Sequence, residues 1–231
     1  MNLTKQVLEI DGENIVTEFE LRETNAVIMH GAGVANRTRA YGFAETLAGK
    51  NIGSVLFDFS GHGDSSGQVS ELSLERRRKQ ASGVIDQVLP ADSEFYLMGF
   101  SMAGQTVCDL LPSYQDRVPG ILLACPAVYN DAAHDIPFGN PKFTEIIRTP
   151  ESWRNSQAYT NLEQYAGKTA IVIGELDEVI PEGVIELLRE SAQNVSFTEY
   201  PGVEHKLMRW LSNSPAEAGK IADQLIATAQ L

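Results

Sequence analysis

Residues 94–114 read EFYLMGFSMAGQTVCDLLPSY. The stretch opens with an apolar run short enough for a buried strand, turns at Gly99-Phe100-Ser101 and continues with helical spacing. A serine on a glycine-flanked turn between strand and helix is a hydroxyl presented at the end of a sheet. The pattern behind that reading is G-x-S-x-G, and its last position here is Ala103, with Gly104 beside it. Gly99 supplies the bare backbone needed where strand and helix pass closely, and Ala103 adds one methyl group. By itself GFSMAG is a weak signal, and the rest of the chain decides its meaning.

Four further runs share the form of EFYLM, each ending in Gly, Ser or Asp or running on into a loop: NAVIMHGAG (25–33), IGSVLFDFSGHG (52–63), VPGILLACPAVY (118–129) and KTAIVIGELD (168–177). Their continuous hydrophobicity predicts strands buried on both faces, as in a parallel sheet. Helical spacing lies between them, with Ala81, Val84, Ile85, Val88 and Leu89 on one face, and Val184, Ile185, Leu187 and Leu188 on another. Ser214-Pro215-Ala216-Glu217 is a capping box that opens a last helix predicted to run almost to Leu231. Upstream, VLEIDG and TEFELRE predict an antiparallel hairpin at the sheet edge.

The expected fold is therefore α/β, a mostly parallel central sheet with helices on both faces, in one domain over residues 1–231. Right-handed crossovers bring the loops that follow the strands to one edge of the sheet, where ligands bind in such folds. Residues 130–168 break the rhythm. They are too long for a simple connection and carry Pro137, Pro141 and Pro150 among Phe138, Phe143, Trp153, Tyr159 and Tyr165, which predicts a lid or binding insertion.

Composition narrows the function. The 231 residues are 43% hydrophobic and 21% charged, as in a globular protein, and the net charge of -13 argues against nucleic-acid or anionic-membrane partners. The one basic run, Arg76-Arg77-Arg78-Lys79, reads as a solvated helix face. Cys108 and Cys125 lack the spacing of a disulfide framework or zinc site and read as small core residues. No apolar run is long enough for a membrane span, and the N-terminus lacks the apolar stretch of a signal peptide, so a cytoplasmic enzyme is expected.

A serine hydroxyl is a poor nucleophile until a base takes its proton, and that base needs an acid to fix its tautomer. Of the four histidines, His30 ends the NAVIM strand, His62 lies between glycines, and His134 begins the insertion. Only His205, in SFTEYPGVEHKL, follows the last predicted strand and so gives the order serine, acid, histidine. The acid is expected after KTAIVIGELD, where Glu175, Asp177 and Glu178 compete. Asp177 is favoured as a short side chain on a turn braced by Val179, Ile180 and Pro181, and the two glutamates read as solvated charges.

Five motifs in this order resemble those of the α/β-hydrolase superfamily: His30-Gly31-Ala32-Gly33, Gly61 to Gly67 after Asp58, the turn at Ser101, the acid loop Gly174 to Pro181, and His205. FDFSGHGDSSG and the insertion after ACPAVY are similar in particular to small bacterial cinnamoyl or feruloyl esterases and to serine aminopeptidase-like hydrolases. The resemblance covers the chain from about residue 25 onward and departs from the pattern at Ala103. It implies Ser101 as nucleophile, His205 as general base and acid, Asp177 as orienting acid, and the Ala32 and Met102 amides as oxyanion hole. His30, Asp58 and His62 are then loop braces. Neither cofactor nor metal is implied, and the expected substrate is a small-molecule carboxylic ester. A thioesterase, an amidase or peptidase, or a C–C bond hydrolase would use the same residues, and a binding protein with a silent site is the reading from another class.

Overall fold

The computed structural model describes residues 1–226, so the predicted extension of the last helix to Leu231 falls partly outside the described residues. Eight strands form one sheet in the order β1-β2-β4-β3-β5-β6-β7-β8. The hairpin β1 (Thr4–Ile10) and β2 (Glu13–Glu20) is antiparallel and lies at one edge, where β2 also pairs antiparallel with β4 (Ile52–Phe57). All other pairings are parallel: β3 (Thr24–Met29), β5 (Phe95–Phe100), β6 (Gly120–Ala124), β7 (Lys168–Leu176) and β8 (Val195–Glu204). Strands β4, β5 and β6 are buried at every position, the physical reason their sequences are apolar without alternation. Pro201 is tolerated inside β8 because that strand pairs only with β7.

Helices cover both faces. On one, α2 (Leu74–Val88), α3 (Ala103–Tyr114), α5 (Gln157–Glu163) and α6 (Glu182–Ser191) close a core around Phe57, Leu97, Val107, Ile121 and Ile171. On the other, α1 (Tyr41–Gly49), α7 (Leu207–Ser212) and α8 (Pro215–Ile226) pack on Ile28, Leu56, Met98 and Val172. Helix α3 passes through Pro112, whose missing N–H frees the Cys108 carbonyl one turn earlier. Asn161 Nδ2 on α5 donates to that carbonyl at 3.1 Å, so tertiary packing satisfies the group that the proline leaves open.

The basic run is not a uniformly solvated face. Arg76 pairs with Asp11 and Glu13, and Arg78 and Lys79 with Glu75, but Arg77 is fully buried. Its position explains this: Arg77 shares a helix face with Gln80, Ala81 and Val84, all of them buried. Its guanidinium lies 3.7 Å from the centre of the Phe59 ring, and Nη2 donates to the His30 carbonyl at 2.7 Å.

The long stretch between β6 and β7 divides in two. Its second part, α5 with Tyr159 and Tyr165, belongs to the main core. Its first part, including α4 (Pro141–Arg148), packs Phe143 and Ala133 on Met102 and Leu74 as a separate small cluster. A polar seam ties both ends of this first part to α3. Gln105 Oε1 accepts from the Tyr129 amide at 2.9 Å and from Ser156 Oγ at 3.3 Å, while its Nε2 donates to Asp109 Oδ1 at 2.8 Å. Asp109 Oδ2 lies 3.0 Å from His134 Nε2. That hydrogen bond raises the His134 imidazole above its ordinary pKa, against the opposing effect of burial.

A group whose folded pKa is raised contributes stability that is complete below its unfolded pKa and is lost as pH rises through the folded value. His134→Ala is therefore expected to cost about 1–2 kcal/mol in urea unfolding at pH 5.5 and clearly less at pH 9. A cost independent of pH would mean that the imidazolium–Asp109 pair contributes nothing to stability.

Candidate active site

Strand register places the site. Met29 on β3 lies opposite Gly99 on β5, so the loop His30-Gly31-Ala32 and the turn at Ser101 leave the sheet side by side. The chain moves from β3 outward to β4 and then returns past β3 to β5, which makes this pair of strand ends the topological switch point. At the far side, Leu176 on β7 pairs with Glu204 on β8 after a bulge, so the next residues, Asp177 and His205, emerge as neighbours.

Ser101 has φ of +54°, the left-handed region that a side chain rarely adopts. The strain is held by three hydrogen bonds: the Ser101 amide donates to the Ala124 carbonyl at 2.9 Å, and the Ser101 carbonyl accepts from Gly104 and Ala127 amides at 2.8 and 3.0 Å. A Cβ on Gly99 would lie 2.4 Å from the Ala103 carbonyl oxygen, and one on Gly104 would lie 2.7 Å from Pro126 Cβ. The departure at Ala103 is thus absorbed. Its methyl is fully buried in the core, and the bare position on the helix side falls at Gly104.

His205 Nε2 stands 2.9 Å from Ser101 Oγ, and Nδ1 faces both Asp177 oxygens at 3.0 and 2.9 Å. Asp177 Oδ1 also accepts from the Val179 and Ile180 amides at 2.9 and 3.2 Å, the brace that the loop sequence suggests. Burial works to raise the Asp177 pKa, but hydrogen bonds from His205, Cys125 and the Val179 amide outweigh it and leave the carboxyl below its ordinary value. The carboxylate is therefore ionised and holds Nδ1–H, leaving Nε2 as an acceptor toward the serine hydroxyl.

The Ala32 amide, in the loop after β3, and the Met102 amide, next in the chain after Ser101, donate to no group among the described residues. Met102 opens α3, whose first amides have no partner within the helix. Its side chain is clamped by Phe143 and Leu74, so the first part of the insertion bears directly on the residue next to the serine.

His30, Asp58 and His62 lie outside this constellation. Buried His30 bonds the Gly31 carbonyl through Nδ1 at 2.8 Å and accepts the Phe59 amide on Nε2 at 3.2 Å. Burial, with Arg77 and His62 nearby, holds its pKa well below the ordinary value, so it is a neutral brace. His62 Nδ1 lies 3.1 Å from the Ser60 carbonyl. Asp58 accepts the Arg37 amide at 2.7 Å and the Asp64 amide at 3.0 Å and pairs with the Arg37 guanidinium, tying the loop after β3 to the loop after β4.

Two residues are not anticipated by the motifs. Arg77 clamps the carbonyl of His30 from below the loop that carries Ala32, and its helical spacing with Ala81 and Val84 is the signal that places it inside. Cys125 is buried with φ of +44° and has its sulfur within 4.8 Å of ligand atoms of Asp177 and His205. Burial first, and then the Asp177 carboxylate, pushes its thiol pKa up, so it stands as a protonated neighbour behind the acid. Glu178 is exposed, as is Glu175, although Glu175 accepts the Gly202 amide at 2.7 Å.

Two clefts meet at Ser101. One, of about 120 Å³, is lined by Gly31, Ala32, Ser101 and His205 and by the cations Arg39, Lys206 and Arg209. The other, of about 200 Å³, is mostly apolar, with Val128, Ile147, Trp153, Val179 and Ile180 beside Ser101. Such an arrangement can move a proton from a hydroxyl to an imidazole beside free amide donors, with distinct surfaces for two halves of a ligand.

A family model described as Serine aminopeptidase, S33 matches residues 22–154. No curated protein sequence matches significantly. Among solved structures, Est1E from Butyrivibrio proteoclasticus with bound ferulic acid is similar over 96% of this chain and 100% of its own, at 17% identity and a TM-score of 0.76. The esterase EaEST from Exiguobacterium antarcticum matches 96% of this chain and 99% of its own, at 18% identity and a TM-score of 0.75. A thioesterase domain from the curacin biosynthetic pathway matches 96% of this chain and 99% of its own, at 16% identity and a TM-score of 0.73. At these identities the likeness is one of fold. No helix among the described residues is long and apolar enough to cross a membrane.

Proposed function

The chain belongs to the serine aminopeptidase family of α/β hydrolases, and from that premise we propose that it cleaves carboxylic esters through an acyl-enzyme intermediate on Ser101. The observation that carries this reading is the relay of Ser101 Oγ, His205 and Asp177, built on a left-handed serine. In the first step Ser101 Oγ bonds to the ester carbonyl carbon as its proton passes to His205 Nε2, while Asp177 stabilises the imidazolium. The carbonyl oxygen, now an oxyanion, takes hydrogen bonds from the Ala32 and Met102 amides. The C–O bond to the alcohol then breaks, the leaving oxygen takes the proton from Nε2, and the acyl group remains on Ser101. A water molecule, giving its proton to Nε2, repeats the sequence and releases the acid and the free serine.

No cofactor enters any step. The first part of the 130–168 insertion acts as a lid wall, with Trp153 and Ile147 offering apolar surface to the substrate. Both thiols are free and buried, which fits work in the reducing cytoplasm.

A panel of p-nitrophenyl esters of graded acyl length, with matched thioester and anilide, tests the substrate class. The ester and thioester are expected to turn over and the anilide about 100-fold or more slowly, because expelling an amine demands far more proton transfer at the transition state. Comparable turnover of the anilide would replace the esterase by a peptidase or amidase. With a cleft of about 200 Å³, the expected optimum is a short or single-ring acyl group.

A further inference from the structure

We propose that Arg39, Lys206 and Arg209 form an anion-binding subsite that selects esters whose alcohol part carries a phosphate or carboxylate. This rests on the ester-hydrolase reading and names the substrate class of that same site. The cations stand out by being unpaired and by their place beside Ser101. The chain has 18 Lys and Arg against 31 Asp and Glu, and nine of those cations sit within ion-pair distance of an acid. Four more rest on a carbonyl or an aromatic ring, namely Arg77, Arg117, Lys168 and Arg189, while Lys142 and Arg148 on α4 are unpaired among the described residues but do not line the cleft at Ser101. Among the described residues, the charged ends of Arg39, Lys206 and Arg209 have neither an acid, nor a carbonyl, nor a ring within bonding reach, and all of them line the cleft that holds Ser101 and His205.

They converge from two segments. Arg39 lies on the 3-10 turn Arg37–Ala40, which buried Asp58 anchors through the Arg37 amide and guanidinium. Lys206 directly follows His205, and Arg209 lies on α7. Ser212 Oγ at the end of α7 donates to the Arg39 carbonyl at 2.7 Å and joins the two segments. All three side chains are exposed, so their mutual repulsion is screened and modest, and an anion held among them relieves it. Glu204 borders the neighbouring depression but lies beyond 4.0 Å of either Lys206 or Arg209 as an ion pair. In a chain of net charge -13, these cations give an anion a locally favourable approach to the site.

The side of the scissile bond follows from the chemistry. His205 must hand its proton to the leaving oxygen, so the alcohol lies on the face that His205 lines, and that is the face with the cations. The apolar cleft is left for the acyl chain. The preferred substrate is then an apolar acyl group esterified to a phosphorylated or carboxylated alcohol.

The test compares kcat/KM for 3-(butyryloxy)propyl phosphate and 4-(butyryloxy)butanoate with that for neutral 3-methoxypropyl butyrate, which fixes the acyl group and changes only the alcohol. The wild-type ratio of anionic to neutral ester is expected to be about tenfold or more, to fall at least tenfold in Arg39→Glu/Lys206→Glu/Arg209→Glu, and to shrink between ~20 and ~300 mM NaCl. Whichever of the two anions has the larger ratio identifies the group. Monobutyl succinate, with its charge on the acyl side, is expected to gain less than either. A wild-type ratio near one, a ratio unmoved by both charge reversal and salt, or an equal gain with monobutyl succinate overturns the proposal. Failure of every one of these esters to react overturns the hydrolase reading instead.

Discussion

His205→Ala is expected to lower kcat on p-nitrophenyl butyrate by roughly five to six orders of magnitude with little change in KM. The imidazole is the group in reach of Ser101 Oγ that can take its proton, and without it the hydroxyl attacks as a neutral nucleophile. What survives is the contribution of binding and of the Ala32 and Met102 amides, which do not depend on the base. Because His205 sits at the end of β8, at the sheet edge, its loss leaves both cores intact, and the melting temperature of the variant should stay close to that of the parent. Activity within tenfold of the parent would remove His205 from the mechanism.

Asp177→Asn is expected to cost about 10⁴ in kcat, for a reason specific to this loop. Oδ1 is held by two amides, Val179 and Ile180, so the amide oxygen of an asparagine keeps that place. Its NH₂ must then occupy the position of Oδ2 and point at His205 Nδ1. A donor there forces Nδ1 to accept and places the proton on Nε2, where it cannot receive the one from Ser101. The structure is unchanged and the tautomer is wrong. The deficit should therefore be as large as that of Asp177→Ala or nearly so, and a loss of tenfold or less would mean that the acid is not setting the tautomer.

Much of this site is legible in the sequence because its parts obey local rules. Strands β4, β5 and β6 are continuous apolar runs, and residues at the ends of parallel strands meet at one sheet edge whatever the loops do between them. Chain order then separates His205 from the other histidines, and the turn after β7 favours Asp177 over its neighbours. Legibility ends where a residue's surroundings come from several segments. Arg77 looks like one member of a charged run, and its burial follows only when the helix face is laid against Phe59 and His30. The aromatic residues 138–165 look alike in sequence, yet Tyr165 completes the main core while Trp153 faces the cleft, because one belongs to the crossover and the other to the excursion before it. The gathering of Arg39 with Lys206 and Arg209 crosses more than 160 positions of sequence and leaves no local trace.

The most direct test of Ser101 as the nucleophile is intact-mass spectrometry after exposure to a fluorophosphonate, followed by peptide mapping. One adduct per chain is expected, located on the peptide that carries Ser101, and absent from Ser101→Ala although that variant melts like the parent. A folded parent chain that takes no label, or a label that persists in Ser101→Ala, would contradict the account.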